Sequence, residues 1–324
     1  MRGRLARMRG RPAKEGTPGD RILMALALAA ALVTIVVLVA MTIKITNGSK
    51  LSFETFGLGF ITDPTWDPTS GNGGDGTFGA GVMVYGTLVS SLFALVVALP
   101  VGIAIGFYLA ELAPAAVAKV IGPLVEMLAA IPSVIVGFWG LIVFAPLLAE
   151  HIEPFLHDHF GFIPLFGEPQ SSGISLFTAC MILSIMILPI TASISRDLFL
   201  TVPRDMKDGA EALGATHWEV FRGVDMPATS AGIASAALLA LGRALGEAIA
   251  VAQVVGGAQA VHASLFLPGD TLASRIASQF PSALSDLQVS SLYYLGAILL
   301  VIGITSNMAA VWISRHFDYE RKAA

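Results

Sequence analysis

The chain has 324 residues, 55% of them hydrophobic and 13% charged, with a formal net charge of −4 and a mean hydropathy of +0.76. A soluble domain carries about 25% charged residues, so a fold solvated only by water is excluded and an all-α integral membrane protein is expected. The single cysteine, Cys180, rules out an internal disulfide and reads as a small buried apolar residue.

Residues 1–21 hold seven Lys or Arg, and the cluster from Arg2 to Arg11 suits a cytoplasmic anchor against anionic lipid. It resembles the start of a signal peptide, but the apolar run that follows is about 22 residues, longer than the roughly 7–15 of a signal core. An uncleaved first helix is therefore expected over 22–43. Crossing a bilayer takes about 20 apolar residues, and five more runs qualify: 81–110, 117–148, 173–193, 232–256 and 289–313. The third is long enough to be tilted or broken at Pro132. Gly102 and Gly106, like Gly242 and Gly246, have the small-residue spacing that lets helices approach closely in lipid.

Between the runs lie loops. The first, 44–80, contains Gly71-Asn72-Gly73-Gly74-Asp75-Gly76, a composition for a flexible turn. The loop 149–172 carries His151, His157 and His159 among Glu150, Glu153 and Asp158. A metal site is one reading; a solvated loop is the preferred one, because His157 and His159 cannot share a helix face and no cysteine assists. No metal is expected. Of the 19 Lys and Arg, 15 fall in 1–21, 111–119, 194–231 and 314–324, and only 3 in 44–80, 149–172 and 257–288. That asymmetry places both termini in the cytoplasm.

The segment 194–231 is conspicuously polar for such a chain. Pro203 suits a first helical turn and Gly214 the position past a helix end. Thr216 and Glu219 have capping-box spacing, and Pro227 is expected to end the second short helix. On these grounds alone the segment is an ordinary cytoplasmic hairpin.

Arg243 sits near the middle of the fifth run, where a charge costs about 2.5–3.5 kcal/mol on insertion scales, so it should face a partner or water. Glu247 is four residues on, expected one turn away on the same face. The pair reads either as a structural ion pair or as an anion site, in which the guanidinium leaves Glu247 to hold anion oxygens in a fork. The residues by themselves leave these readings even. Glu126, near the cytoplasmic end of the third run, reads more simply as a helix-end residue.

The stretch Asp208-Gly209-Ala210-Glu211-Ala212-Leu213-Gly214, with Val224-Asp225-Met226-Pro227 nine residues later, resembles the EAA loop of ABC-transporter permeases. That pattern is Glu-Ala-Ala, three residues, Gly, nine residues, Ile, one residue, Leu-Pro. Asp208, Gly209, Val224 and Met226 depart from it, and only Gly209 carries a helix cost, up to about 1 kcal/mol. Over roughly 20–320 the chain is similar to the PstC-type permeases of phosphate ABC transporters. The resemblance rests on Phe56-Gly57-Leu58-Gly59-Phe60, Trp66-Asp67-Pro68, Tyr85-Gly86-Thr87-Leu88, Glu126-Met127-Leu128-Ala129-Ala130-Ile131-Pro132-Ser133-Val134 and Gly242-Arg243-Ala244-Leu245-Gly246-Glu247.

The resemblance implies a type I ABC importer permease in a bacterial cell membrane, and tilts Arg243 and Glu247, with Glu126 at lower weight, towards the substrate pathway. It implies that Asp208, Ala210, Glu211, Gly214, Trp218 and Pro227 belong to a coupling helix docked on an ATPase. The partners implied are a PstA-like permease, two ATPase subunits, an extracytoplasmic phosphate-binding protein, the lipid bilayer and inorganic phosphate, with no nucleic acid. The chain has no Gly-x-x-x-x-Gly-Lys-Ser/Thr loop, so ATP is expected on a separate chain and no cofactor on this one. An ion-coupled anion carrier using Arg243 and Glu247, or an ABC permease for another oxyanion, are the competing readings. An intramembrane hydrolase lacks its motifs, Gly-x-Ser-x-Gly and His-Glu-x-x-His.

Overall fold

The computed structural model describes residues 18–70 and 76–323; the basic cluster at 2–11 and most of the glycine-rich turn lie outside the described residues. Helix α1, Pro18–Gly48, opens on a proline, whose missing N–H costs nothing in a first turn. Residues Met1–Asn47 form one unit and Gly48–Ala324 another. The apolar side chains of α1 are exposed around the whole helix, the condition of a helix whose solvent is lipid.

The second unit contains five further helices long and apolar enough to cross a membrane: Gly81–Leu112, Ser133–Phe160, Leu176–Thr201, His217–Gly246 and Asp286–Ala309. In chain order its elements are α2 (Lys50–Phe56), strands β1 (Trp66–Asp67) and β2 (Thr77–Phe78), and α3 (Gly81–Phe107), which ends in a π turn at Tyr108–Leu112. Then come α4 (Ala115–Leu128), α5 (Ser133–Phe160) and α6 (Leu176–Thr201). The remainder are α7 (Arg204–Ala212), α8 (His217–Gly246), α9 (Ile249–Val254), α10 (Leu272–Gln279) and α11 (Asp286–Ala323).

Helix α6 is the axis of the unit. Helix α3 presents Ser90, Ala94, Ala98, Gly102 and Gly106 to the interior, a small residue on every fourth position, all buried. A Cβ on Gly102 would fall 2.1 Å from Thr191 Oγ1, and one on Gly106 2.7 Å from the Arg196 backbone N. The two helices thus touch nearly backbone to backbone, the packing that substitutes in lipid for a hydrophobic driving force. Ile182, Ile187, Ala240 and Val254 complete this core.

A second core forms around residues of β1, β2, α10 and α11. Trp66 pairs with Phe78 across β1 and β2, and Phe60 stacks on Tyr294 with ring centroids 4.5 Å apart. Trp66 Nε1 donates to Gln279 Oε1 at 2.7 Å, and Arg275 lies over the Trp66 ring while pairing with Asp270. Burial pushes the Asp270 carboxyl above its usual range, and the Arg275 guanidinium opposes that shift. Residues 48–67, 77–80 and 270–279, expected as loop, are thus folded together as a cap.

The break allowed at Pro132 is present, and helix boundaries differ from expectation in three further places. The run 117–148 is two helices: α4 stops at Leu128, residues 129–132 turn, and α5 begins after Pro132. Proline disfavours helical backbone in the residue before it, so the chain breaks there although its hydrophobicity continues. Helix α5 then continues to Phe160 and takes the three histidines with it, so 149–160 is not a loop. His157 Nδ1 lies 3.1 Å from the Phe166 carbonyl, His159 Nδ1 lies 2.9 Å from that of Phe155, and Glu153 is fully buried, accepting from Ser175 Oγ at 3.2 Å.

Pro227, expected to end a helix, sits instead in the first turn of a continuing α stretch inside α8. The preceding π turn, Phe221–Asp225, changes the hydrogen-bond register where the proline has no N–H to give. Finally, the fifth run is divided. Helix α8 ends at Gly246, Glu247 is extended (φ −71, ψ 117), and the short α9 follows.

Candidate functional site

Helix α7 starts after Pro203 and closes with a double hydrogen bond: the Gly214 N–H donates to Glu211 O at 2.9 Å and the Ala215 N–H to Ala210 O at 3.2 Å. This Schellman arrangement needs a left-handed residue, and Gly214 supplies it at φ +90. Two residues later Thr216 caps α8. Its backbone N–H donates to Glu219 Oε2 at 2.7 Å, and its Oγ1 accepts from the Glu219 N–H at 3.4 Å. The two caps make a tight corner out of a chain that would otherwise leave several helix-end groups unpaired.

The outer surface of this corner mixes acid and hydrocarbon. Asp208, Glu211, Gly214 and Pro227 are exposed and Ala210 half-buried, with Trp218 65% exposed. Met206 and Leu213 also lie open, Leu213 at 91%. Sequence reasoning passed over these two, because an apolar residue in a mostly apolar chain carries no signal until its surroundings are known. An exposed aromatic and two exposed aliphatics beside carboxylates form a surface suited to a protein partner.

Beneath the surface Lys207 points inward, its side chain 9% exposed. Its Nζ pairs with Glu111 on the π turn that ends α3, lies 3.2 Å from Asp225 Oδ1 in the π turn of α8, and donates to the Phe199 carbonyl at 3.1 Å. This cluster was also missed; three charges far apart in sequence meet only through the fold.

Arg243 is half-buried on α8, beside the inward-facing Ala240, Ala244 and Leu245. It lines a cleft of about 780 Å³ between α6, α8 and α11, together with Ile190, Ser235, Gly242, Ser306 and Asn307. Its Nε is buried and has no hydrogen-bond partner among the described residues. The expected pairing with Glu247 is not formed: no ion pair joins the two among the described residues. The reason is the end of α8 between them. Glu247 leaves the helical path, and its Oε1 accepts instead from the Ala250 N–H at 3.3 Å, capping α9. The relay that an ion-coupled carrier would need along one helix face is therefore not built.

Glu126 belongs to a different place again. It lies on α4 and accepts from Arg196 Nη1 of α6 at 3.2 Å, with its own side chain 53% exposed. The three residues expected to share a pathway are thus separated, and only Arg243 lines the cleft. The glycines beside it differ from those of α3: a Cβ on Gly242 or Gly246 would meet nothing within 4 Å.

Residues 102–320 match the family model for binding-protein-dependent transport system inner membrane components. The chain is 44% identical to the phosphate transport system permease protein PstC of Mesorhizobium japonicum over 87% of its own length and 86% of that protein. It is 43% identical to PstC of Pasteurella multocida, covering 84% of each chain, and 34% identical to a probable PstC of Methanocaldococcus jannaschii, over 81% and 82%. Among solved structures, it resembles a bacterial ABC transporter involved in import of the acidic polysaccharide alginate. The TM-score is 0.61 at 16% identity, over 91% of this chain and 96% of that one. That likeness establishes the fold, a type I ABC importer permease.

Proposed function

The chain belongs to the family of binding-protein-dependent transport system inner membrane components, in the company of the PstC permeases, and from that premise we infer that it is the permease subunit of an ATP-driven phosphate importer. It is a multi-pass membrane protein and not itself the ATPase. The observation that carries the substrate is the 44% identity to a phosphate permease along nearly the whole chain; fold similarity alone would leave the cargo open.

In this reading the chain lies in a bacterial cell membrane with both termini in the cytoplasm, beside a PstA-like permease. An extracytoplasmic phosphate-binding protein docks on the cap formed by 48–67, 77–80 and 270–279. The exposed corner at 203–227 docks on one of two ATPase subunits, with Trp218 and Leu213 as apolar anchors and Asp208 and Glu211 as charged rim. Arg243 serves the path. A guanidinium with an unmatched buried Nε, set in an apolar cleft, is matched to phosphate oxygens in geometry and charge. Nucleotide binding and hydrolysis in the partner chains would switch the permease pair between inward- and outward-facing forms.

The experiment is labelled phosphate uptake in cells lacking their own high-affinity system, with this chain supplied alongside its transporter partners and then without the ATPase. Uptake that requires the ATPase and is competed by phosphate but not sulfate is expected. ATPase-dependent uptake that ignores phosphate would reassign the cargo, and uptake that persists without the ATPase would discard the importer. Within the same system, Gly214→Pro is expected to release the ATPase from the purified complex, because proline cannot take the left-handed conformation that the corner requires.

A further inference from the structure

The Lys207 ammonium donates to Glu111 at the end of α3 and to the Phe199 carbonyl, at 3.1 Å, in the last turn of α6. It also makes an ion pair at 3.2 Å with Asp225 in the π turn of α8. Lys207 itself belongs to α7. One buried cation therefore joins the exposed corner helix to the inner ends of three membrane helices. The Asp225 side chain is 1% exposed, so water competes little at that contact, whereas Glu111 stands partly open to solvent.

An aromatic cluster reinforces the same junction. Phe107 of α3 lies 5.7 Å from Phe199 of α6 and 4.5 Å from Phe221 of α8, centroid to centroid, and Phe199 and Phe221 are 6.0 Å apart. The exposed Trp218 packs on Phe221 at 5.3 Å. A push on Trp218 or on α7 meets a body already bonded and packed to α3, α6 and α8.

We propose that Lys207 is a positioning residue for transport: its ammonium pins α7 to α3, α6 and α8, so that displacement of the corner by a partner displaces the three membrane helices with it. The pin rests on the reading of 203–227 as the ATPase contact, and adds how that contact reaches the membrane helices. Lys207 touches neither cargo nor nucleotide in this scheme. Without its donors the corner can shift while the helices stay, and hydrolysis proceeds without transport.

The test uses the whole transporter in lipid vesicles, with ATP hydrolysis and labelled phosphate uptake read from one preparation. Lys207→Met removes the donors at nearly equal length but strands the buried Asp225 carboxylate beside Glu111. The triple variant Lys207→Met, Glu111→Gln, Asp225→Asn removes the donors and the charges together, so that no unpaired charge is buried. Both are expected to keep the ATPase bound and hydrolysing, while phosphate moved per ATP falls about tenfold, a common size for coupling between linked sites.

A wild-type ratio in the triple variant overturns the proposal and leaves the cluster as a means of burying charge. Loss of the ATPase or of assembly in the triple variant also overturns it, because the lysine would then support docking or folding, not transmission. Failure of the underlying reading looks different: wild-type vesicles would take up phosphate with no ATPase present.

Discussion

Lys207 and Arg243 are both cations set into an apolar protein, and the chain holds them in opposite ways. Lys207 is neutralised by two carboxylates and also donates to a backbone carbonyl, all from three other helices. Arg243 faces a cleft of about 780 Å³ with its Nε unmatched and no ion pair among the described residues. A buried charge is tolerated when opposite charges pair with it and is costly when they do not. Under the proposed function, the paired cation suits a joint and the unpaired one a ligand path. The two glycine pairs divide in the same way. Gly102 and Gly106 are closed against α6, whereas Gly242 and Gly246, flanking Arg243, open onto space.

Five substitutions test this contrast. The largest effect is expected from Arg243→Gln, which keeps a polar side chain in the cleft but removes the charge. Phosphate uptake should fall on the order of 100-fold, the equivalent of one hydrogen bond to a charged group, with the complex still purifying intact. Normal uptake would make Arg243 a structural residue and erase its difference from Lys207.

Next is Gly102→Val. Overpacking a contact in which even a Cβ would lie 2.1 Å from Thr191 Oγ1 should cost roughly 1–3 kcal/mol, read as a lowered Tm of the detergent-purified protein. The control, Gly242→Ala, should leave Tm unchanged or raise it, through up to about 1 kcal/mol of helix propensity; equal losses at both sites would show that the open face is not open.

Smaller is Thr216→Ala, which removes the side-chain cap at the corner and should cost about 1 kcal/mol, visible as faster amide exchange at the start of α8 with the rest of the chain unchanged. Smallest is Glu126→Gln. Its ion pair with Arg196 is half in solvent, and such pairs are worth under about 1 kcal/mol. Uptake close to wild type is expected, and a loss like that of Arg243→Gln would return Glu126 to the pathway.

The corner at 203–227 shows how much was legible beforehand. Gly214 at φ +90 and the Thr216–Glu219 box are local chemistry, and local chemistry is written in neighbouring residues. Pro227 was misjudged because a proline is tolerated in the first turn of an α stretch, and the π turn at Phe221–Asp225 that makes it a first turn depends on packing around Phe221 and Asp225 that the sequence does not announce. Glu247 was misplaced for a related reason: spacing of four means one face only where the helix is unbroken, and α8 breaks after Gly246.

Hydrophobic length and local caps were enough to show a multi-pass helical membrane protein, to place the starts of four of its six spans to within several residues, and to mark which polar loop resembles the EAA loop. Both signals act over a few residues. Packing was needed to choose the break at Pro132 among the options left open for 117–148, to put the histidines on α5, to show that Arg243 forms no ion pair with Glu247 or Glu126 among the described residues, and to bring Lys207 to Glu111 and Asp225. Each of these depends on where a helix stops or on which faces meet, and in a chain apolar nearly throughout hydrophobicity does not distinguish one face from another. Steric fit and the matching of buried polar groups do, and both exist only once the helices are packed.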